Sequence, residues 1–266
     1  MTDEVREPSS SPEGDVRMTI WEHLGELRTR IIRAAIAMLV TTIVAWAFRV
    51  PILAWLEHPY ENAWRARSLP GPPELINITP GGQFVGFLQL SLMTGAVFAA
   101  PVIFYQLWAF ISPGLYRKEK RLVVPFVFFS TALFLSGVAF AYYIAFPFTL
   151  SYFFSLLGTI SPGGAVLTQR TTFEAYLDFS TRMLFAFGCA FELPLFIAFL
   201  AIAGIVTPRQ LLRFGRWAVL AAFVVGAIVT PGPEVSSQIA VSGALILLYF
   251  LSIGVAFFVA KKKKEE

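Results

Sequence analysis

A single acidic residue lies deep inside one of the long apolar stretches of this sequence. Glu192 is flanked by segments 187–191 and 193–200, which contain no other charged residue. A charged side chain at the bilayer centre costs about 2.5–3.5 kcal/mol on insertion scales. Two interpretations follow: a protonated structural acid that hydrogen-bonds a neighbouring helix, or a polar anchor for a substrate or partner helix. We favour the anchor, because ionisable groups inside membranes are usually functional.

Pro194 predicts a helix kink beside this acid, because proline has no backbone N–H for the carbonyl four residues earlier. At about 100° per residue, Glu174 and Asp178 share the helical face of Glu192, which predicts a polar stripe towards the bundle. Asp178 and Arg182 also have the i,i+4 spacing of a local ion pair.

Two amides, Gln89 and Gln106, lie in another apolar stretch. Hydrogen bonds between neighbouring helices are the commoner explanation for such amides, at about 0.6–2 kcal/mol each. Both residues are therefore predicted to join helices.

The residues needed for catalysis are missing from the apolar stretches. The chain has 2 histidines, His23 and His58, and both lie outside these stretches. An intramembrane serine protease would lack its base, and a zinc protease would lack its His-Glu-x-x-His pair. A Gly-rich Lys-Ser/Thr loop for ATP is also missing. We therefore predict no enzyme, no metal and no cofactor.

The composition requires that most of the chain lies in lipid. Hydrophobic residues make up 56% of the chain, charged residues 14%, and the mean hydropathy is +0.68, so we predict an all-α integral membrane protein. The fifth apolar run is the shortest, about 21 Å as a helix against a hydrocarbon core of roughly 30 Å. Either it extends back to Arg213 or the bilayer thins there. The six predicted spans are about 31–48, 84–111, 122–146, 179–204, 217–230 and 239–260.

The segments outside the spans are short. Residues 1–18 are polar and predict a disordered tail, and residues 261–266 form a basic tail. Thr19 and Glu22 have the spacing of a capping box, so a helix should begin there. Its first part is amphipathic and is expected to lie along the membrane surface. The outer loops are rich in Pro and Gly and predict turns without a further span.

The positions of the cations predict that both termini are cytoplasmic, since Lys and Arg are retained on the inner side of a membrane. Only Arg49, Arg65, Arg67 and Arg170 would then face outside. The cytoplasmic cations would be Arg6, Arg17, Arg28, Arg30, Arg33, Arg117, Lys118, Lys120, Arg121, Arg209, Arg213, Arg216 and 261–264. Segment 112–121 contains four cations and one acid, Glu119. On composition alone, the cations are explained by the membrane topology, and Glu119 is explained by local pairing with these cations.

A set of motifs in matching order resembles the TatC family, the multispanning receptor subunit of the twin-arginine protein translocase. These motifs cover the chain from about residue 20 to about residue 260, and their combination is highly specific. They are His23-Leu24-Gly25-Glu26-Leu27-Arg28, Ala100-Pro101, Tyr105-Gln106, Trp108-Ala109-Phe110-Ile111, Leu115-Tyr116, Glu119-Lys120-Arg121-Leu122-Val123-Val124-Pro125, Phe187-Gly188, Phe191-Glu192-Leu193-Pro194, Thr230-Pro231 and Gln238.

The resemblance implies a cup-shaped six-helix bundle in the bacterial inner membrane. Such a subunit binds twin-arginine signal peptides of folded cargo and recruits single-span TatA-type and TatB-type partners, with transport driven by the proton-motive force. It also implies a homo- or hetero-oligomer in contact with lipid and without nucleic acid.

Site residues follow from the same resemblance. By position, Glu119 and Glu26 match the family's two signal-binding acids, and guanidinium groups prefer bidentate carboxylates. The residues that accompany them are Arg28, Phe110, Lys120 and Arg121. Three further residues match positions of the family pattern: the acid in span four is Glu192, the glutamine early in span six is Gln238, and the outer-loop proline is Pro59. Glu234 matches the family's outer acid, but the turn before it is one residue longer in this chain. Lys120 stands where the family pattern has Arg.

Two alternatives to a signal-peptide receptor remain open on the residues alone. A proton-coupled small-solute transporter would use Glu192 as a titrating carrier, but it predicts internal repeats and more than one buried ionisable group. A purely structural membrane scaffold would leave the loop acids without a role.

The orientation gives the first testable prediction. In a chain with Cys189 replaced by serine, a cysteine at Gly71 should react with a membrane-impermeant thiol reagent on intact cells, because segment 49–83 faces outside. A cysteine at Gly114 should stay protected until the cells are opened. Labelling of Gly114 with protection of Gly71 would overturn the orientation.

Overall fold

The computed structural model describes residues 20–69, 71–111, 123–159, 166–167, 170–230 and 235–265. Within these ranges the chain is almost entirely helical, and its short strands form two small pairs: β1 with β4 in parallel and β2 with β3 antiparallel. The helices are α1 (Ile20–Ala47), α2 (Arg49–Ala66), α3 (Gly82–Ile111), α4 (Val123–Phe140), α5 (Phe146–Ser155), α6 (Phe173–Ala190), α7 (Leu193–Ile202), α8 (Pro208–Val229) and α9 (Val235–Glu265). The strands are β1 (Leu75–Ile76), β2 (Gly158–Thr159), β3 (Val166–Leu167) and β4 (Thr171–Thr172).

Six helical segments are long and apolar enough to cross a membrane, which confirms the all-α fold with six predicted spans. They are Trp21–Ala47, Gly82–Ile111, Val123–Ser155, Phe173–Ile202, Pro208–Val229 and Gln238–Phe258. The third combines α4 and α5, and the fourth combines α6 and α7. The predicted polar tail 1–18 lies outside the described residues.

The fifth span is longer than its apolar run. α8 begins at Pro208 and has 22 residues, about 33 Å at 1.5 Å per residue, which is enough to cross the hydrocarbon core. Thr207 and Gln210 form a capping box that fixes this start: the Thr207 backbone N–H donates to Gln210 Oε1 over 2.8 Å. The helix therefore extends back past Arg213, and a thinned bilayer is not required.

α1 is one continuous helix of 28 residues. The amphipathic segment expected to lie along the membrane surface is instead a direct extension of the first span, so that expectation was wrong. α1 packs along α3, where the Thr41 hydroxyl donates to the Gly95 carbonyl over 2.8 Å. A Cβ atom on Gly95 would lie 2.8 Å from the Thr42 backbone. The two helices are therefore in backbone contact.

The segment between spans one and two contains a helix, α2, which the sequence analysis did not predict. It has 18 residues, and its buried side chains Leu56, Pro59, Tyr60, Ala63 and Trp64 follow helical spacing. α2 packs on α5, and the Tyr60 ring centroid lies 5.4 Å from those of Phe154 and Tyr176. The helix forms in spite of Pro59 because its buried stripe adds to the core.

Spans three and four are both interrupted next to a proline. In the third, a π-helical turn at Ala141–Ala145 precedes α5, which has Pro147 in its first turn. In the fourth, α6 ends at Ala190 and α7 begins at Leu193 with Pro194 in its first turn. Proline lacks the N–H that a continuous helix needs, which accounts for both breaks. The kink predicted from Pro194 is therefore present.

Small residues set the distance between α4 and α6. A Cβ atom on Gly137 would lie 2.4 Å from the Phe187 carbonyl oxygen. One on Gly188 would lie 2.6 Å from the Phe134 ring. These two glycines allow the backbones of the helices to approach closely, as is common in membrane bundles.

This contact gives a stability prediction. Gly137→Ala should lower the thermal unfolding temperature of the purified protein in detergent, because the added methyl group forces α4 away from α6 at a cost of about 1–3 kcal/mol. Gly243→Ala in α9 is the matched control, since a Cβ atom there meets nothing within 4 Å. Equal unfolding temperatures for Gly137→Ala and Gly243→Ala would contradict the close contact between α4 and α6.

Candidate functional site

Four side chains from α1 and α3 form a cluster at one end of the bundle. The His23 ring stacks on that of Phe110, with centroids 4.3 Å apart and planes at 14°. One turn along α1, Glu26 Oε1 accepts from Arg30 Nε over 2.9 Å and also from the Arg30 terminal nitrogen. The structure thus brings together the predicted site residues Glu26 and Phe110 and adds His23 and Arg30, which the sequence analysis did not include in the site. We call these four residues the α1 cluster.

The Glu26 carboxylate has one free oxygen. Its Oε2 atom is buried and has no hydrogen-bond partner among the described residues. His23 Nδ1 lies 3.9 Å from this oxygen, beyond hydrogen-bond distance. An ionised carboxylate accepts on both oxygens, so this atom is suited to a further cationic donor such as a guanidinium.

Of the other predicted site residues, Arg28 is not part of the α1 cluster, and several are not described by the structure. Arg28 is on α1 with an exposed side chain. Glu119, Lys120 and Arg121 lie in segment 112–122, outside the described residues, and Glu234 lies outside them as well.

A second polar group lies inside the bundle where α6 meets α7. The Glu192 carboxyl lies beside the Ser130 hydroxyl and the backbone of Phe134, both on α4. Ser130 is buried and accepts from Trp108 Nε1 over 2.8 Å. The Glu192 Oε1 atom is buried without a hydrogen-bond partner in the described part of the chain. Glu192 therefore has acceptor capacity that its own bundle leaves unused.

Sequence reasoning missed Ser130 and Trp108. Trp108 packs against Phe126 and Phe199, with ring centroids 4.6 and 5.1 Å away. A buried indole usually needs an acceptor for its N–H, so the tryptophan in this apolar run was the available signal for a nearby hydroxyl. The partner itself was not readable, because it comes from another helix.

The predicted stripe of three acids is not continuous. Glu174 accepts from the Thr79 hydroxyl in the loop before α3. Asp178 also faces α3, through Gln89, whereas Glu192 follows the break in the helix and lies beside α4. The helical wheel failed because it assumed an unbroken helix through Pro194.

The local pair and the interhelical amide were predicted correctly. Asp178 and Arg182 form an ion pair of 2.8 Å. Gln89 Nε2 donates to the Thr181 hydroxyl over 2.7 Å, joining α3 to α6. Gln106, by contrast, has a buried amide oxygen without a partner among the described residues.

Two further predicted residues have structural contacts. Gln238 Nε2 donates to the Phe223 carbonyl over 3.0 Å, which joins α9 to α8. Pro59 is buried within α2 and leaves the carbonyl of Trp55, four residues earlier, without its helical donor. The Tyr142 hydroxyl donates to this carbonyl over 2.7 Å. Pro59 therefore creates the acceptor by which α2 is joined to the π-helical turn.

Comparisons with known proteins agree on one family. The family model described as "Sec-independent protein translocase protein (TatC)" matches residues 22–243. The TatC protein of Halothiobacillus neapolitanus is 39% identical over 91% of this chain and 63% of its own length, so the chain spans slightly under two thirds of that relative. TatC of Aquifex aeolicus is 37% identical over 93% of this chain and 98% of its own length. A crystal structure of the twin-arginine translocase receptor TatC matches with a TM-score of 0.78 at 35% identity, covering 90% of this chain and 99% of that one.

Proposed function

Because this chain belongs to the TatC family of Sec-independent protein translocase proteins, we propose that it is the translocase subunit that receives twin-arginine signal peptides. It is a membrane protein and a transport component rather than an enzyme. We further propose that it lies in the bacterial inner membrane with both termini in the cytoplasm. In this orientation the α1 cluster faces the compartment from which folded cargo arrives.

The observation that carries the proposal is the Oε2 atom of Glu26, which has no hydrogen-bond partner among the described residues. A buried carboxylate oxygen without a donor favours binding of a group that brings its own charge and hydrogen bonds. A guanidinium fits this requirement, because it is always protonated and carries several N–H donors in one plane.

Glu119 is proposed to take the second arginine. The chain leaves α3 at Ile111, next to Phe110, whose ring stacks on His23 in the α1 cluster. The described end of α3 therefore lies next to the α1 cluster. Glu26 on α1 and Glu119 in segment 112–121 would give each arginine of the pair its own carboxylate. The cations Arg28, Lys120 and Arg121 would repel the positive charge of the peptide.

Glu192 is proposed to anchor a second helix, from a signal peptide or from a TatA-type or TatB-type partner. Its support is the unpartnered Oε1 atom at membrane depth. The transporter alternative is less well supported, because the polar side chains that are buried in the described ranges are serines, threonines and tyrosines, with no carboxylate, histidine, lysine or arginine among them. A proton pathway would require further buried ionisable groups.

The binding role of the two acids can be tested directly. Glu26→Gln and Glu119→Gln should each weaken binding of a twin-arginine signal peptide about tenfold in low salt, because each variant loses a charge-assisted hydrogen bond. Added salt should reduce the difference in affinity between each variant and the parent protein, because it screens the charge of the carboxylate. Glu74→Gln, which removes an exposed acid on the opposite side of the membrane in our orientation, is the control and should bind normally. Unchanged binding by both site variants would refute the assignment.

Substitutions at Glu192 distinguish a hydrogen-bonding anchor from a proton carrier. A neutral amide can donate and accept hydrogen bonds as a protonated carboxyl does, so Glu192→Gln should retain export and partner crosslinking. Glu192→Ala should lose both, at about 1–2 kcal/mol per lost interhelical hydrogen bond. If the two variants fail equally in export while crosslinking stays normal, a titrating role replaces the anchor.

A further inference from the structure

A guanidinium of the chain itself, that of Arg30, binds the proposed signal-binding carboxylate. Arg30 directs two of its nitrogens at one oxygen of Glu26, with 2.9 Å from Nε. This is the chemical group that the proposed function brings in with the peptide. On the basis of that proposed function, we propose that Arg30 is an internal competitor that occupies Glu26 until a signal arginine displaces it.

The Glu26–Arg30 pair differs from the other pairs of its kind. Three arginines in the described ranges pair with an acid one helical turn earlier. The side chains of Arg65 and Glu61 are 72% and 38% exposed, and those of Arg182 and Asp178 are 52% and 43% exposed. Arg30 and Glu26 are each only 19% exposed. A pair that only supports a surface helix has no need of this enclosure, and enclosure strengthens the attraction that a ligand must overcome.

The surroundings of the pair also favour exchange. His23, held against Phe110, lies close to the second oxygen of Glu26 without hydrogen-bonding to it. Oε2 is buried, so an incoming guanidinium reaches it as Arg30 leaves Oε1, and it then supplies the hydrogen bond that Oε2 lacks among the described residues. Arg30 then moves to solvent, and the peptide arginine takes over both oxygens. No bond other than hydrogen bonds is made or broken in this exchange.

Competition of this kind lowers the affinity for the peptide without changing the contacts that the bound peptide makes. Removing the competitor should therefore tighten binding, in contrast to the usual effect of altering a residue in a binding site. If Arg30 instead held Glu26 in a productive orientation, its removal would weaken binding.

The test measures the affinity of the full-length protein in detergent for a fluorescent twin-arginine signal peptide at low salt. Arg30→Gln should tighten binding about two- to fivefold, as expected for release of a partly enclosed ion pair. Arg30→Lys should give an intermediate value, since lysine retains the charge but not the planar set of donors. Arg33→Gln is the matched control: Arg33 is an exposed arginine on the same helix without an ion pair in the described residues, and its loss should leave affinity within error.

A double variant separates this inference from the proposed function. In a Glu26→Gln background, Arg30→Gln should bring no further tightening of peptide binding, because the carboxylate for which Arg30 competes is gone.

Two results would overturn the inference. If Arg33→Gln tightens binding as much as Arg30→Gln does, the effect is general charge repulsion. If Arg30→Gln weakens binding, Arg30 positions Glu26 and does not compete for it. If Glu26→Gln binds like the parent protein, the proposed role of Glu26 in the signal site fails, and the competition fails with it. If Glu26→Gln weakens binding and Arg30→Gln does not tighten it, only the competition fails.

Discussion

A backbone carbonyl inside this bundle that loses its helical donor is stabilised by a new donor, because neither lipid nor apolar side chains offer one. Pro59 releases the carbonyl of Trp55, which accepts from the Tyr142 hydroxyl on another helix. Pro194 similarly ends the regular helix beside Glu192. At both prolines, the interruption of the helical hydrogen bonds thus lies next to a polar side chain: the Tyr142 hydroxyl, which joins two helices, and the Glu192 carboxyl, which is proposed to bind a partner helix. Apolar packing fills the space between these points.

Two of the acids proposed to act in transport, Glu26 and Glu192, have different surroundings. Glu26 is beside a cation and a histidine near one end of the bundle, where it is suited to exchange one charged partner for another. Glu192 is beside the hydroxyl of Ser130 and contacts no cation among the described residues, so it is suited to neutral hydrogen bonds. Binding of arginine and binding of a helix are therefore assigned to separate places in the chain.

Much of this fold could be predicted from the sequence, since long apolar runs leave few alternatives. The i,i+4 pairs were also readable, because their partners lie on one helix. What could not be predicted comes from other helices: the Ser130 partner of Trp108 and the enclosure of the Glu26–Arg30 pair. The helix α2 was missed for another reason: its buried stripe has the correct period, but Pro59 was taken as an outer-loop residue.

The length of α2 has a consequence for how the protein is made. At 18 residues it is close to the minimum for a membrane span, and it follows α1 after a single residue. What distinguishes it from a span is its charge, carried by Arg49, Glu57, Glu61 and Arg65. These side chains make partition into the hydrocarbon unfavourable during synthesis. By keeping α2 out of the hydrocarbon, these charged residues leave a single crossing, α1, before the span formed by α3.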